Sequence, residues 1–290
     1  MRREGADRFV NCVLKRSQSD GIIRIEGLLL VTLAVPLLLI LIMRFINSDE
    51  PLSGVTLINM QLFMGIIATF IAFRLIYNLN KHQKRDIEWA DGLTDYAESY
   101  GHDVSKLRKI RNKFGDNRVE EASKIFLGLF IAVMVINSFM AFFTGISQLD
   151  SRYVLAAEII ISALIFLEFL VVSVYLFRAV KKHDSIQRNF TKEFCSVMSS
   201  DLPEAVPMDT RIRYRILWPH IVLFFMTLGF YSLFFILGVI HLSNMHVARQ
   251  WTYEEDMVKL IMEKERAIGI EKIDRDYGTG FMKIVRRIFF

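Results

Sequence analysis

Gly65-Ile-Ile-Ala-Thr-Phe-Ile-Ala-Phe73 is an apolar run, and no proline or glycine separates it from the charged run His82-Gln-Lys-Arg-Asp-Ile-Glu-Trp89. Such an uninterrupted chain predicts one long helix whose first half is apolar and whose second half is charged. The pattern occurs three times, because His183 and His246 also follow long apolar stretches. We interpret it as a weak internal repeat, in which an apolar helix continues into an amphipathic one.

Residues at fixed offsets from each histidine support this repeat. In the order of the three copies they are Asp86, Gln187 and Gln250 at +4, Trp89, Phe190 and Tyr253 at +7, and Leu93, Phe194 and Met257 at +11. Offsets of 0, 4, 7 and 11 lie on one face of an α-helix. We therefore expect the three helices to pack through this face, with the three aromatic residues buried.

The composition favours a membrane protein. Of the 290 residues, 53% are hydrophobic, and Phe alone occurs 24 times. Stretches of about 18 or more mostly apolar residues predict membrane-spanning helices. Four stretches meet this condition (27–46, 55–77, 123–146 and 154–177), and a fifth at 216–240 is also long enough. The predicted fold is an all-α polytopic integral membrane protein with amphipathic cytoplasmic helices.

The predicted organisation alternates membrane hairpins with charged segments, since basic residues between spans indicate the cytoplasmic side. In chain order we expect a basic cytoplasmic leader (1–26), transmembrane hairpin 1 (27–77), cytoplasmic helical segment 1 (78–122), transmembrane hairpin 2 (123–177), cytoplasmic helical segment 2 (178–215), a re-entrant hairpin or fifth span (216–241) and a basic cytoplasmic tail (242–290). Within segment 1, a short helix is predicted after a cap at Asp103 or Ser105 and is expected to stop at Gly115. The predicted localisation is the cell membrane, with a multi-pass chain and a cytoplasmic N-terminus.

The fifth apolar stretch permits two interpretations. As one straight helix it spans the bilayer, whereas the basic residues on both sides favour a re-entrant hairpin that turns near Thr227-Leu-Gly229. The run Thr227-Leu-Gly-Phe-Tyr231, with Arg215 before it and Asn244 after it, resembles an uncharacterised family of small prokaryotic membrane proteins. Those proteins carry a T-x-G-x-Y turn between two apolar arms. The resemblance covers about 30 residues and implies a hairpin, but no activity.

The sequence contains none of the common enzyme motifs. It has no G-x-x-x-x-G-K-[ST], G-x-S-x-G, H-E-x-x-H or C-x-x-C pattern. We therefore predict a protein that is not an enzyme and that needs no cofactor. The function favoured at this point is an oligomeric channel- or transporter-like protein. The alternative is a non-catalytic membrane scaffold that binds a cytoplasmic protein through its aromatic-rich helices.

The histidines of the repeat form the first candidate site. If the three copies pack around a common axis, His82, His183 and His246 would converge at the cytoplasmic mouth, where they would bind a divalent metal or an anionic ligand. The alternative is that each histidine is an interfacial residue at the end of a span, without a shared ligand.

Glu168 is the second candidate, because it lies near the middle of the fourth predicted span. A carboxylate at that depth usually marks a functional path. The alternative is a protonated glutamate that is bonded to a neighbour, for which Asn137 and Arg74 are the candidates. The expected partners of the chain are anionic lipid headgroups, further copies of itself and a cytoplasmic protein. Nucleic acid is not expected, since basic residues between spans already account for the charge of +5.

Overall fold

The computed structural model describes residues 2–20, 54–115, 151–208, 217–227 and 231–267, with single positions or short runs between 38 and 139. Every element in these main ranges is an α-helix. The helices are α1 (Arg2–Leu14), α2 (Arg16–Ser19), α3 (Gly54–Ser99), α4 (Ser105–Gly115), α5 (Ser151–Val197), α6 (Trp218–Met226) and α7 (Tyr231–Ala267). Most of the predicted first span (27–46), most of the third (123–146) and the tail beyond residue 267 lie outside the described residues.

Three long helices, α3, α5 and α7, form the centre of the fold. Each begins in an apolar stretch and continues without a break into a charged one, as the repeat predicts. The helix α5 packs against both α3 and α7, while α4 packs across α5 and α3. The helix α4 begins after Asp103, whose carboxylate accepts the backbone N–H of Ser105 at 2.9 Å. This hydrogen bond satisfies one of the free N–H groups at a helix start, which is the cap predicted from the sequence.

The charged halves of the three helices enclose an aromatic core. Trp89 lies at its centre and is fully buried, with ring centroids 5.4 Å from Phe190, 6.1 Å from Tyr253 and 6.4 Å from Phe9. The expected burial of the three stripe aromatics is confirmed. Burying such rings is worth roughly 1.5–3 kcal/mol each, so this layer is a main source of cohesion between the helices.

The N-terminal helix α1 completes the aromatic core. Its residues Phe9, Val10 and Val13 are buried there. The approach to α3 is close, because a Cβ added at Gly92 would lie 2.7 Å from the backbone nitrogen of Phe9. A Cβ added at Gly5 would likewise lie 2.5 Å from the backbone nitrogen of Tyr96. The two glycines therefore allow α1 and α3 to touch backbone to backbone.

A second hydrophobic core joins the apolar halves of the same helices. It contains Ile76 from α3, Leu176 and Phe177 from α5, and Val239 and Ile240 from α7, all of them buried. Residues of three of the predicted membrane spans therefore bury their side chains against one another.

The prediction of a polytopic membrane protein is wrong. In the part of the chain that the structure describes, no helix has the length and the apolar character needed to cross a membrane. The physical reason is that a long apolar run is typical of a helix buried in protein as well as of one buried in lipid. Here those runs contribute to a shared core and continue directly into charged segments. The same finding corrects three further predictions. These are the multi-pass localisation, the cytoplasmic assignment of the N-terminus and the channel or transporter function.

The fifth apolar stretch is divided between two helices. The helix α6 has nine residues and ends at Met226, and α7 begins at Tyr231. The side-chain oxygen of Thr227 accepts the backbone N–H of Tyr231 at 2.9 Å, and the phenol of Tyr231 lies 2.8 Å from Nδ1 of His220. The threonine and the tyrosine of the T-x-G-x-Y run thus each make a hydrogen bond where the two helices meet.

Candidate functional site

The structure brings the three repeat histidines together. His82 on α3, His183 on α5 and His246 on α7 are all buried, and their ring centroids lie 5.2–5.4 Å apart. Each ring meets the other two edge to face. The three histidines occupy the same offset in the repeat. The packing that buries the aromatic residues at offset +7 therefore also places the three imidazoles at the same height along the bundle.

One nitrogen of each imidazole lies within hydrogen-bond distance of a carboxylate oxygen. The pairs are His82 Nδ1 with Asp20 Oδ1 at 2.9 Å, His183 Nε2 with Asp86 Oδ2 at 2.7 Å, and His246 Nδ1 with Asp184 Oδ1 at 3.0 Å. The other ring nitrogen of each histidine is buried and has no hydrogen-bond partner among the described residues. A carboxylate on one imidazole nitrogen fixes the tautomer that leaves the other nitrogen as a lone-pair donor, which is the usual arrangement around a metal-bound histidine.

The spacing of the ring nitrogens fits a shared ion after a small adjustment. One nitrogen from each of the three histidines lies within 4.8 Å of the corresponding atom of the other two. Zinc–nitrogen bonds of about 2.0–2.1 Å in a tetrahedral site place the nitrogens roughly 3.3 Å apart. An ion would therefore draw the rings together by about 1.5 Å at most, a distance that side-chain rotation can supply.

Asp86 is the polar centre of this cluster, and it is fully buried. Besides His183, it accepts hydrogen bonds from the amide of Gln250 at 2.6 Å and from the guanidinium of Arg85 at 3.1 Å. Its Oδ2 also lies 3.3 Å from Nε2 of His82, without hydrogen-bond geometry. Although burial opposes ionisation, His82, His183 and Arg85 hold the pKa of Asp86 well below its usual range. Asp86 is therefore an anion at neutral pH.

The amides at offset +4 of the second and third copies connect the helices around Asp86. Gln187 donates from its side-chain nitrogen to both Asp86 and the side-chain oxygen of Gln250, the latter at 2.8 Å. Position +4 of the repeat therefore forms one hydrogen-bonded layer directly beside the histidines. Sequence reasoning placed these residues on the shared stripe but assigned them no polar role.

Arg85 links the cluster to the N-terminal segment and to α7. Its guanidinium lies 2.7 Å from Asp20 and 2.7 Å from Glu254. Asp20 also accepts the indole N–H of Trp251 at 2.7 Å. Burial raises the pKa of Glu254 to about 7 in spite of the neighbouring guanidinium groups of Arg85 and Arg16. Glu254 therefore lies close to its titration midpoint at neutral pH.

The two histidines that face Asp86 differ in their proton affinity. Burial works against protonation of His82, but the carboxylates of Asp86 and Asp20 outweigh it and raise its pKa. Burial lowers the pKa of His183 to about 4, and its hydrogen bond to Asp86 only partly offsets this. His183 is therefore neutral near pH 7, the form in which an imidazole binds a metal.

The buried charges of the cluster do not balance. With every carboxyl ionised and the histidines neutral, Asp20, Asp86, Asp184 and Glu254 face two guanidinium groups, those of Arg16 and Arg85. The formal charge is then −2. Uncompensated charge in a protein interior is expensive, so this cluster favours a proton on Glu254, a protonated imidazole or a bound divalent cation.

The histidines do not line either of the two pockets that the structure shows among the described residues. A groove of about 680 Å³ along α7 and a pocket of about 630 Å³ between α4 and α5 are both lined by other residues. The ring of Phe114 lies 5.6 Å from that of His183. In the part of the chain that the structure describes, the geometry therefore suits a small ion better than an organic substrate.

Two residues of the second predicted site, Glu168 and Arg74, lie among the described residues. Glu168 is half-buried on α5, and Arg74 is exposed on α3, where its guanidinium lies 5.9 Å from the ring centre of Tyr77. Asn137 lies outside the described residues. The mid-bilayer position that singled out Glu168 falls with the correction of the membrane fold.

The carboxylates that hold the histidines were missed from the sequence. Asp20 lies 62 residues before His82, in a leader that we interpreted only by its charge. Asp184 directly follows His183, and that adjacency could have suggested its role, although it bonds His246 instead. The matched spacing from His82 to Asp86 on one helix face was the available indication that a carboxylate belongs to the site.

No family model matches the chain, and neither the curated proteins nor the solved structures contain a match to it.

Proposed function

We propose that this protein binds a divalent transition-metal ion through His82, His183 and His246, and that the ion joins α3, α5 and α7. The observation that carries the proposal is the meeting of three buried histidines that bring ring nitrogens within 4.8 Å of one another. On each imidazole one nitrogen faces a carboxylate, and the other has no hydrogen-bond partner among the described residues. A buried polar atom without a partner costs roughly 1–3 kcal/mol. Three such atoms on rings that contact one another are most simply explained by a common ligand.

Imidazole nitrogens and a net negative surround favour zinc or a neighbouring transition metal over calcium or magnesium, which prefer oxygen ligands. Three histidines leave one tetrahedral position, which water can fill. Asp20, Asp86 and Asp184 would act as hydrogen-bond acceptors behind the ligands, so each fixes the orientation of one ring. Formation of the site requires helices from distant parts of the sequence, and binding energy would therefore contribute to folding.

The role that fits this geometry is structural or regulatory. The cluster is buried beneath Phe114, and neither the groove along α7 nor the pocket beside α4 reaches it. The protein-binding scaffold predicted from the sequence relied on aromatic stripes that are now seen to be buried, with Trp89 and Phe190 fully covered. A partner would have to use other surfaces, and this alternative stays a prediction.

Metal content tests the proposal directly. The purified full-length chain is treated with a chelator, titrated with Zn²⁺ or Co²⁺, and analysed for bound metal after gel filtration. We expect one ion per chain and visible Co²⁺ absorption typical of a tetrahedral site. At a free zinc concentration of about 100 times Kd, the free energy of unfolding should rise by about 2.7 kcal/mol.

A pair of variants on the same helix provides the control. His246→Ala should lose the ion and the zinc-dependent stabilisation, whereas His241→Ala, at an exposed position on α7, should keep both. His183→Gln retains much of the side-chain volume and separates ligand loss from a packing defect. Metal that binds equally to wild type and to the folded His183→Gln and His246→Ala variants would contradict the proposal, as would a wild-type chain that binds no ion.

A further inference from the structure

An open pocket of about 630 Å³ lies between α4 and α5. Four cationic side chains line it: Lys113 from α4, and Arg178, Lys181 and Lys182 from α5. Ser185 and Asn189 follow on the same face of α5, at helical spacing from the three cationic residues. Two helices from separate parts of the chain therefore build one cationic concavity, which we call the basic pocket.

The charges of the basic pocket are not compensated. No carboxylate lines it, and among the described residues none of its four cations makes an ion pair within 4 Å. This differs from neighbouring basic residues, since Arg108 and Arg111 of α4 pair with Glu98 and Asp91. Like charges held close together repel one another, and an anion in the pocket would remove that cost.

The chemistry of the lining fits a phosphate-bearing anion. Arginine contacts phosphate oxygens through its planar fork, and lysine supplies compact positive charge. Ser185 and Asn189 add neutral hydrogen-bond donors, while Ile110 and Ile186 give the pocket an apolar part. A volume of this size lies within the range of small-molecule sites, so it accommodates a phosphate together with part of the organic group that carries it.

We propose that the basic pocket binds a multiply charged phosphate-bearing ligand, which bridges α4 to α5 through Lys113, Arg178, Lys181 and Lys182. All four cations are exposed, so the ligand reaches them without opening the fold. The site is separate from the histidine cluster: His183 faces the bundle interior, whereas Lys181 and Lys182 face solvent. A free phosphorylated molecule and the phosphate of a lipid headgroup share this chemistry.

Two binding measurements test the proposal and distinguish these sources. The full-length chain is titrated with inorganic pyrophosphate at low ionic strength by calorimetry. In parallel it is sedimented with vesicles of phosphatidylcholine, with or without phosphatidylglycerol. A free ligand predicts pyrophosphate binding without vesicle binding, whereas a headgroup predicts association only with the anionic vesicles. Either binding should weaken as salt screens the charges.

Charge-matched variants decide whether the basic pocket is responsible. Lys181→Gln with Lys182→Gln should weaken binding at least about tenfold, since it removes two charge-assisted contacts. Lys15→Gln with Lys259→Gln removes the same charge from exposed positions elsewhere and should change binding less than about twofold. Arg178→Lys should fall between them, because it keeps the charge and loses the fork.

All three variants replace exposed side chains, and circular dichroism checks that each is folded. Equal binding by the two double variants would overturn the proposal, because general surface charge would then explain the affinity. A wild-type chain that binds neither pyrophosphate nor anionic vesicles would overturn it as well. Metal titration of the Lys181/Lys182 variant should match wild type, so failure of this proposal is distinguishable from failure of the metal site.

Discussion

The histidine cluster and the aromatic core are adjacent layers of the same three helices, yet they are held together by different forces. The layer at offsets 0 and +4 is polar and contains His82, His183 and Asp86, while the layer at offsets +7 and +11 contains Trp89 and Phe190. In the aromatic core, burial alone is favourable. In the histidine cluster, burial is unfavourable unless each polar atom finds a partner.

This difference indicates which layer contains metal-binding side chains. Packing explains most of the aromatic core, since its rings contact one another at ordinary distances. The indole nitrogen of Trp89 and the phenol oxygen of Tyr253 are nevertheless buried there without a hydrogen-bond partner among the described residues. Hydrogen bonds only partly explain the histidine cluster, because three ring nitrogens remain without partners among the described residues. One repeated helix face thus supplies both an aromatic core that stabilises the fold and a group of imidazole nitrogens that lack hydrogen-bond partners among the described residues.

The largest expected effect comes from removing the centre of the aromatic core. Trp89→Ala should lower the free energy of unfolding by roughly 3–5 kcal/mol, because removal of the fully buried ring leaves a cavity in the core. Urea titration followed by circular dichroism measures the change. Trp218→Ala is the control, because that ring is 67% exposed on α6 and its loss should cost within about 0.5 kcal/mol. Equal losses would mean that the aromatic core is not the main source of stability.

The next effect tests the polar layer by removing charge while keeping shape. Asp86→Asn should cost roughly 1.5–3 kcal/mol, since the carboxylate accepts from His183, Gln250 and Arg85. It should also weaken metal binding about 10–100-fold, because His183 loses the acceptor that orients it. Zinc titration and urea unfolding measure the two effects separately.

Asp256→Asn is the matched control for this change. Its carboxylate is exposed and lies 3.8 Å from Lys259, so its loss should alter stability within about 1 kcal/mol and metal affinity not at all. If Asp86→Asn lowered stability and left the zinc affinity unchanged, Asp86 would serve packing alone.

The repeat allowed the meeting of the histidines to be anticipated. A shared helical stripe places residues of equal offset at one level, so burial of Trp89 and Phe190 implies that His82 and His183 also face each other. The same hydropathy pattern misled the assignment of the apolar halves. Period and length cannot distinguish lipid from a second protein core, and Ile76 and Phe177 pack into such a core.

The role of the N-terminal segment could not be derived from the sequence. Asp20 reaches His82 and Arg85 only because α1 docks on α3, and no local pattern in residues 1–26 encodes that contact. The arginines of the leader were interpreted as a topology signal. In the structure Arg16 is buried, and its guanidinium lies 2.9 Å from Glu255. Contacts between distant segments depend on surface fit, which a single sequence does not display.

Docking of that segment can be disturbed at one glycine. Gly92→Ala should cost roughly 1–3 kcal/mol, because the new Cβ would meet the backbone of Phe9 on α1. Movement of α1 should also withdraw Asp20 from His82 and reduce zinc affinity. Gly238→Ala on α7 should instead stabilise by about 0.4–1 kcal/mol, since no described residue lies within 4 Å of a Cβ added there. Changes of the same sign would contradict this interpretation of the α1–α3 contact.

The smallest effect concerns a histidine–carboxylate pair outside the cluster. Nε2 of His102 lies 2.8 Å from Asp201, nearly the separation of His183 and Asp86, but the two side chains are 23% and 26% exposed. Because solvent screens the pair, His102→Gln should cost only about 0–1 kcal/mol.

The hydrogen bond from His102 lowers the pKa of Asp201 below its ordinary 3.8. The contribution of this pair to the free energy of unfolding is therefore present above that pH and is lost as the pH falls through the folded pKa of Asp201. Urea unfolding of both chains at pH 7 and pH 3 should therefore show a small difference at pH 7 that shrinks at pH 3. A loss as large as that of Asp86→Asn would mean that hydrogen-bond geometry, rather than burial, sets the importance of these pairs.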